Sequence, residues 1–363
     1  VKSEVATSAL KRDSFYLPSL DCLRFFAFFG VFVMHTTEND LTGANPILNK
    51  IYGGLHAALG YGVPVFFCLS AFLITTLLLR EKEDTGRVHV PQFYFRRILR
   101  IWPVYYLVLI LGAVILPPIA HVEPSWTWFW RFATFTGNNA MVPTDTPTIA
   151  IAPLWSVCVE EQFYLVWPWI VGKLNRDWIR RVCLVLLVVA PLLRAFTAIG
   201  GATEYDLWFK TWCHMDCFTA GALVALYWKS GLGTKIARNT FWLLPLCLLL
   251  LGLQSIYAPF AAFTDHVLNP VQAASYSVVA LASALLVWTV SLMQPPKSKW
   301  MRKPLVLGGK LSYSLYAFHG SSLLLAPAFI GAWSWIAGFF GRLMPTLLAA
   351  CISYFGSTRF SVG

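Results

Sequence analysis

Charge is what this sequence has least of. Of its 363 residues only 12% are Asp, Glu, Lys or Arg, and 17 are acidic. A soluble domain carries about a quarter charged residues, so a water-soluble globule of this length would lack the charged surface to cover itself. A fixed-period repeat, a low-complexity tract and a soluble appendage are also missing. The eight cysteines lie in or beside apolar segments, which argues against a disulfide framework. Cys213, His214 and Cys217 have metal-ligating chemistry, but no second ligand pair follows them, so no metal site is expected.

Basic residues outnumber acidic ones, 28 against 17, for a net charge of +11. No basic stripe interleaves with aromatics in a polar domain, so no nucleic-acid partner is expected. The excess falls in short connections between apolar runs, where it reports topology first. What is abundant is apolar: 57% of residues are hydrophobic and 16% aromatic. Several unbroken runs reach the roughly 20 residues that cross a hydrocarbon core. The fold class expected is all-α integral membrane.

The runs predict about ten spans, near Leu17–His35, Tyr61–Leu79, Ile101–Ala120, Val159–Val171, Val182–Ile199, Leu207–Trp228, Phe241–Ala258, Gln272–Met293, Leu305–Ala326 and Trp333–Phe355. The fourth is short and interrupted by Pro168, so a bent or partly re-entrant segment is expected. The connection His121–Leu154, rich in Trp, Thr, Asn and Pro, reads as an interfacial loop. Basic clusters recur in alternate connections, from Lys2, Lys11 and Arg12 through Arg80–Arg100, Lys173–Arg181 and Lys229–Arg238 to Lys297–Lys303. The positive-inside rule therefore places both termini in the cytoplasm. Lys11 and Arg12 before an apolar stretch resemble a signal sequence, but Asp21 and Arg24 interrupt it and no small-residue cleavage site follows. The stretch reads as a retained first helix. The organisation expected is a cytoplasmic tail over 1–16, a transmembrane domain over 17–356 and a tail over 357–363. The opening on Val1 rather than Met fits trimming at one or both ends.

An ionisable residue at the bilayer centre costs roughly 2.5–3.5 kcal/mol, so each one needs a reason. Arg24 and His35 are eleven residues apart, about three helical turns plus 20° and roughly 16 Å of rise. One helix face thus presents a cation near the cytoplasmic side and an imidazole near the outer side. The plainer reading pairs Asp21 with Arg24 at i,i+3 and leaves His35 to cap the outer end. At the entrance to the third span, Arg96, Arg97 and Arg100 crowd three guanidiniums into little more than one turn. Such repulsion is relieved by an anion, and guanidinium is well shaped for phosphate oxygens; lipid phosphates would serve as well as a ligand.

Near the fourth span, Ser156, Glu160 and Tyr164 form one helical stripe, and Glu161 points about 100° away. A buried glutamate there could orient an imidazole or titrate itself, or simply stabilise the helix N-terminus. His319 in the ninth span and Asp216 in the sixth rank second, since such groups more often bond between helices than catalyse.

Taken together these residues resemble the acyltransferase family 3 membrane proteins, which acylate sugars and other hydroxyl-bearing acceptors. Leu20-Asp21-Cys22-Leu23-Arg24 followed by His35 is similar to the family's Arg-x10-His signature. Phe66–Thr75 resembles its second-helix motif, and Arg96–Pro103, Trp155–Pro168 and Ser312–His319 resemble three further blocks in the same order. Cys22 and Ala71 stand where the family usually has Gly, and His214 stands before Asp216 where Arg is frequent. Tyr354–Arg359 lacks the usual closing acidic residue and proline, and no extra hydrolase-like domain is expected within these 363 residues.

The resemblance implies an acyl-CoA donor, most simply acetyl-CoA, approaching from the cytoplasm. Arg96, Arg97 and Arg100 would hold its phosphates, with Ser70 of the second-helix block also on the donor site. His35 would act as general base on the acceptor hydroxyl. Glu160 or Glu161 would position that imidazole, and Arg24 would stabilise charge on the donor or hold Asp21. Asp21, Tyr164, Asp216 and His319 are the secondary site candidates. The expected acceptor is a surface or lipid-linked carbohydrate, the expected surroundings are membrane lipids, and the expected location is a bacterial cytoplasmic membrane. A proton-coupled secondary transporter, using intramembrane His, Glu and Asp as a relay, is the alternative. It predicts internal repeats and paired broken helices, neither of which is evident, and gives the arginine trio no role. A catalytically inactive scaffold is the third reading, against which the intact Arg24 and His35 argue.

Overall fold

The computed structural model describes residues 15–37, 45–142, 144–258, 267–330, 343 and 345–348. Its helices run α1 (Pro18–Thr36), α2 (Pro46–Ala58), α3 (Gly62–Thr85), α4 (Val90–Ile110), α5 (Leu116–Ile119), α6 (Trp126–Ala133), α7 (Gly137–Ala140) and α8 (Leu154–Lys173). They continue as α9 (Arg176–Ile199), α10 (Glu204–Trp208), α11 (Met215–Tyr227), α12 (Gly231–Arg238), α13 (Thr240–Tyr257), α14 (Pro270–Leu292) and α15 (Lys299–Ile330). Among the described residues, β pairing is limited to isolated bridges, Val142 with Asp145 and Thr203 with Val267.

Local sequence sets where these helices begin. Proline falls in the first turn of α1, α2, α4 and α14, where its missing N–H costs nothing and its fixed φ suits the helix. Asn45, Asn175 and Asn269 cap α2, α9 and α14 by accepting from the backbone N–H of Ile47, Trp178 and Val271. The α3 helix stops at Gly86, whose φ of +76° is left-handed backbone open to glycine without strain. The turn that follows brings α4 back beside the end of α3. Lys82 then donates from its ammonium to the carbonyls of Val171, Gly172 and Leu174 at 2.9, 2.9 and 2.8 Å, satisfying the C-terminal end of α8.

Among the described residues six segments are long and apolar enough to cross a membrane: Pro18–Thr36, Pro46–Thr85, Val90–Ile119, Arg176–Ile199, Thr240–Tyr257 and Pro270–Leu292. The segment containing α3 is the centre of the bundle, with 78% of its most apolar stretch buried, whereas α9 and α13 bury only 22% of theirs. The outer faces of those two helices expose Leu184, Val188, Leu192, Phe196, Leu248 and Leu249, as surfaces turned to lipid would. The protein is therefore an all-helical integral membrane protein.

Among the described residues, the sixth of the expected spans is the one that breaks. The fourth is one continuous helix, α8, with Pro168 inside it. The sixth is broken, because α10 ends at Trp208 and α11 begins only at Met215 after a tight turn over Thr211–His214. The ninth, α15, is long but studded with Ser, Tyr and His. The tenth, Trp333–Phe355, lies almost wholly outside the described residues. Several stretches expected as connections are helical. The polar residues of α2 (Asn49, Lys50) hide its continuity with α3, and α4 begins at Val90, well before the apolar run, so its three arginines are helical. The connection His121–Leu154 contains α6 and α7.

Candidate active site

Packing against α3 and α15 places the polar face of α1 in the interior. Gly309 of α15 lies against the α1 backbone so closely that an added Cβ would fall 2.0 Å from the Asp21 carbonyl oxygen. Lys310, next in sequence, lines the same cavity as Asp21 and Arg24. The Arg24 guanidinium donates to Asp21 at 3.1 Å, and Tyr16 donates its hydroxyl to the other carboxylate oxygen at 2.7 Å. Outside the membrane-spanning helices, burial and that carboxylate push the Tyr16 phenol above its ordinary range, which keeps it a donor. The Lys310 ammonium stands 5.6 Å over the Tyr16 ring.

These groups border a cavity of about 650 Å³ at the expected cytoplasmic end, within the size range of small-molecule sites. Its wall carries five cations (Arg24, Arg96, Arg97, Arg100 and Lys310) and one carboxylate, Asp21. Glu81 takes up part of this charge, 3.6 Å from the largely exposed Arg96, and an exposed pair contributes little. The Arg97 guanidinium is sandwiched at 5.5 Å from the Phe93 ring and 5.7 Å from Tyr164. So strong an excess of cations in a concave site favours a polyanion.

A second, narrow cavity of about 100 Å³ shares Arg24, Ser70, Arg97, Arg100, Lys310 and Tyr313 with the first. The α8 stripe faces it: Ser156, Glu160 and Tyr164 all line it. Ser70 donates to one oxygen of Glu160 at 2.7 Å and Tyr164 to the other at 3.0 Å, so both oxygens are held. Ser156 donates to the Tyr316 hydroxyl at 2.9 Å. A third cavity of about 220 Å³ shares the walls Val63 and Tyr316 with the second and contains His35, with Trp155, Tyr205, Trp208 and Phe209 around it. The three spaces thus follow one another from the arginine cluster to the imidazole.

At His35 the Nδ1 atom lies 2.8 Å from the Val31 carbonyl oxygen. A carbonyl can only accept, so Nδ1 carries the proton and Nε2 keeps its lone pair. This corrects the expectation that a glutamate orients the imidazole. Glu160 is committed to Ser70 and Tyr164, and Glu161 accepts from Trp102 Nε1 at 3.2 Å; a backbone carbonyl orients His35 instead. Asp216 lines none of the three cavities. It is buried in an ion pair with Arg194 at 2.6 Å and accepts from Ser277 at 2.7 Å. His319, fully buried, packs its ring against His35 with centroids 5.2 Å apart.

Sequence reasoning passed over Lys310, Arg194 and Tyr313. The first two lie inside expected spans, so the criterion that picked out Asp21 and Arg24 applies equally to them. Tyr313 donates to the Ile101 carbonyl at 2.9 Å and lines both inner cavities, a role that only its three-dimensional neighbours reveal. Among the described residues, no three His, Cys, Asp or Glu side chains group to hold a metal ion.

A family model described as an acyltransferase domain matches residues 17–362. The chain belongs to the acyltransferase 3 family. Its similarity to curated proteins agrees. It is 26% identical over 342 residues to the O-acetyltransferase OatA of Staphylococcus aureus (strain NCTC 8325 / PS 47), covering 84% of this chain and 50% of that protein. Identity is again 26%, over 350 residues with the same shares covered, to a candidate O-acetyltransferase of Staphylococcus aureus (strain COL). The chain therefore spans about half the length of the curated relatives it matches. No solved structure matches it. Membership of an acyltransferase family sets aside the transporter reading.

Proposed function

We propose that this chain is a membrane O-acetyltransferase that moves an acyl group from cytoplasmic acyl-CoA, most simply acetyl-CoA, to a hydroxyl of a carbohydrate on the outer side. The observation that carries this reading is the succession of cavities: a cation-rich chamber, a narrow passage sharing its walls, and an aromatic chamber holding an imidazole with an unshared Nε2 pair. The diphosphate and ribose phosphate of the donor would sit among Arg96, Arg97, Arg100, Arg24 and Lys310. Its pantetheine arm, slender and weakly polar, fits a passage lined by Ser70, Tyr313 and Tyr316. Trp155, Trp208 and Tyr205 offer flat faces to a sugar ring, with His35 beside them.

In the reaction, Nε2 of His35 takes the proton of the acceptor hydroxyl as its oxygen bonds to the thioester carbonyl carbon. The carbon–sulfur bond then breaks, and the sulfur leaves with the proton that His35 returns. The products are the O-acyl ester and free coenzyme A. The Arg24–Asp21 pair and the Glu160–Ser70–Tyr164 triangle hold the passage walls in place. The topology that suits this reading has about ten spans with both termini in the cytoplasm, in a bacterial cytoplasmic membrane. A donor inside and an acceptor outside need a route through the bilayer.

The test is acyl transfer by the purified protein with acetyl-CoA and a hydroxyl-bearing glycan acceptor. His35→Ala should lower the rate by about 10²–10⁴-fold, the usual worth of a general base, while coenzyme A still raises the melting temperature of the variant. A His35→Ala protein as active as the parent would refute the reading.

A further inference from the structure

The narrow passage and the imidazole chamber meet at Val63 and Tyr316, the two residues that line both. Among the described residues, Tyr316 is thus the one polar side chain bordering both spaces. Its phenol oxygen accepts from Ser156 at 2.9 Å, and the Pro153 carbonyl, at 3.3 Å, is the more distant acceptor for that serine proton. Among the described residues nothing accepts the proton of the phenol itself, although Tyr316 is buried. A buried tyrosine hydroxyl ordinarily finds a partner. The other hydroxyls of the passage are spent: Ser70 and Tyr164 donate to Glu160, and Tyr313 donates to the Ile101 carbonyl. Phe66 at 6.1 Å and His319 at 5.3 Å between ring centroids flank the Tyr316 ring. An unspent O–H donor therefore stands where the two spaces join.

Building on the function proposed above, we propose that Tyr316 is a catalytic residue whose O–H donates to the thioester carbonyl oxygen and stabilises the oxyanion that forms there. The acyl carbon has to come within bonding reach of an acceptor oxygen held at His35. A donor arm lying in the passage therefore brings its thioester to the junction that Tyr316 borders. As the acceptor oxygen bonds to that carbon, the carbonyl π pair moves onto the carbonyl oxygen, and the phenol meets this charge. As the carbon–sulfur bond breaks, the pair returns to re-form the carbonyl, and the sulfur leaves with the proton that His35 returns. The phenol keeps its own proton throughout. Ser156 acts through it, because a hydroxyl that donates into the phenol oxygen orients the O–H and makes it a stronger donor. A donor already aimed at the developing charge needs no reorganisation when the reaction occurs. Arg24, Arg97 and Arg100 border the passage but not the imidazole chamber, so these cations do not take the same place.

The test is Tyr316→Phe, which removes the hydroxyl and keeps the ring, in acetyl-CoA-dependent transfer by the purified protein. Loss of one oxyanion donor should lower kcat about 10²–10³-fold, with KM for acetyl-CoA unchanged and the coenzyme A thermal shift retained. Ser156→Ala keeps the phenol without its support and should cost up to about 10-fold. Added to Tyr316→Phe it should cost nothing further, because the two act as one unit. Infrared difference spectra of acetyl-CoA, isotope-labelled at the thioester carbonyl and bound without acceptor, read the bond directly. The carbonyl band should lie at lower frequency in the parent than in Tyr316→Phe, a difference that a phenol serving only as a wall would not produce. Should Tyr316→Phe lose the thermal shift, Ser156→Ala carries the same two readouts. An unchanged kcat in Tyr316→Phe, or a lowered kcat with the band unmoved, overturns the role of Tyr316 while an inactive His35→Ala leaves the general-base reading standing. Transfer by His35→Ala at the parental rate, with Tyr316→Phe impaired, overturns the general-base reading instead.

Discussion

Two aspartate–arginine pairs lie inside this helical bundle, and they are built in opposite ways. Arg194 and Asp216 join α9 to α11 with both side chains 0% exposed. The guanidinium gives one N–H to the Ala273 carbonyl at 3.0 Å, one to the Cys213 carbonyl, one to Asp216 and one to Ser277. Asp216 in turn accepts from Ser277 and from the Cys217 backbone N–H. Asp21 and Arg24 instead share one hydrogen bond within α1, and Arg24 keeps its remaining donors on the wall of two cavities. A pair in which every guanidinium nitrogen is bonded, four of the five N–H donors being spent on neighbours, is built to hold helices together. A pair with donors left over, facing a chamber with four further cations, is available to a ligand. Satisfaction of hydrogen bonds, more than intramembrane charge itself, separates framework from site.

The sharpest way to break this comparison is to strand one member of the framework pair. Asp216→Ala would leave a buried guanidinium without its counter-ion, a loss of about 3–5 kcal/mol in soluble proteins. The expected result is a much lower melting temperature in detergent and a poor yield of monodisperse protein. Replacing both partners, as Arg194→Met with Asp216→Leu, should recover much of the loss, since an apolar pair carries no desolvation cost. An Asp216→Ala protein as stable as the parent would show that the network does not hold α9, α11 and α14 together.

The opposite expectation attaches to the site. Arg97→Ala with Arg100→Ala removes two cations that repel each other and line the chamber, so the melting temperature of the free protein should hold or rise. Affinity for coenzyme A should fall by at least about 30-fold, given what hydrogen bonds to charged groups are worth. Isothermal titration in detergent micelles measures it. A double variant that loses stability but binds coenzyme A normally would place these arginines with the framework and undo the distinction.

How much of this was legible in the sequence follows from the same contrast. Features internal to one helix could be read. The Asp21–Arg24 pair and the Ser156–Glu160–Tyr164 stripe follow from spacing alone, and α1 begins where Pro18 allows it. Features made between helices could not. Arg194 finds Asp216 on another helix, Glu160 finds Ser70 across the α3–α8 contact, and the His35 ring is turned by a carbonyl rather than by either glutamate. The break in the sixth span has the same origin. No Pro or Gly marks Phe209–Cys213. The chain leaves the helix there because distant partners hold it: Lys210 donates to the Asn139 carbonyl at 2.6 Å, and Thr211 bonds with Gln162 and Asn138 of a buried amide network. Polarity also misled in one direction, since Asn49 and Lys50 made an amphipathic helix look like a loop.

Lys310 offers the finest test, because it lies between the two classes. It is a charged residue within an expected span, like Arg194, yet it is exposed and borders both inner cavities. Its one aromatic contact, with Tyr16, does not neutralise it. As one cation among five in a solvated chamber, it should contribute much less than the arginines. Lys310→Met is expected to weaken coenzyme A binding up to about fivefold, the range of a single exposed ion pair, with no change in melting temperature. Raising the salt concentration should shrink the difference between variant and parent, because the interaction is screened over a Debye length of about 10 Å at 0.1 M. A loss as large as that of the arginine pair would make Lys310 a principal phosphate ligand. No loss at any salt would remove α15 from the donor chamber and leave α1 and α4 to hold the anion alone.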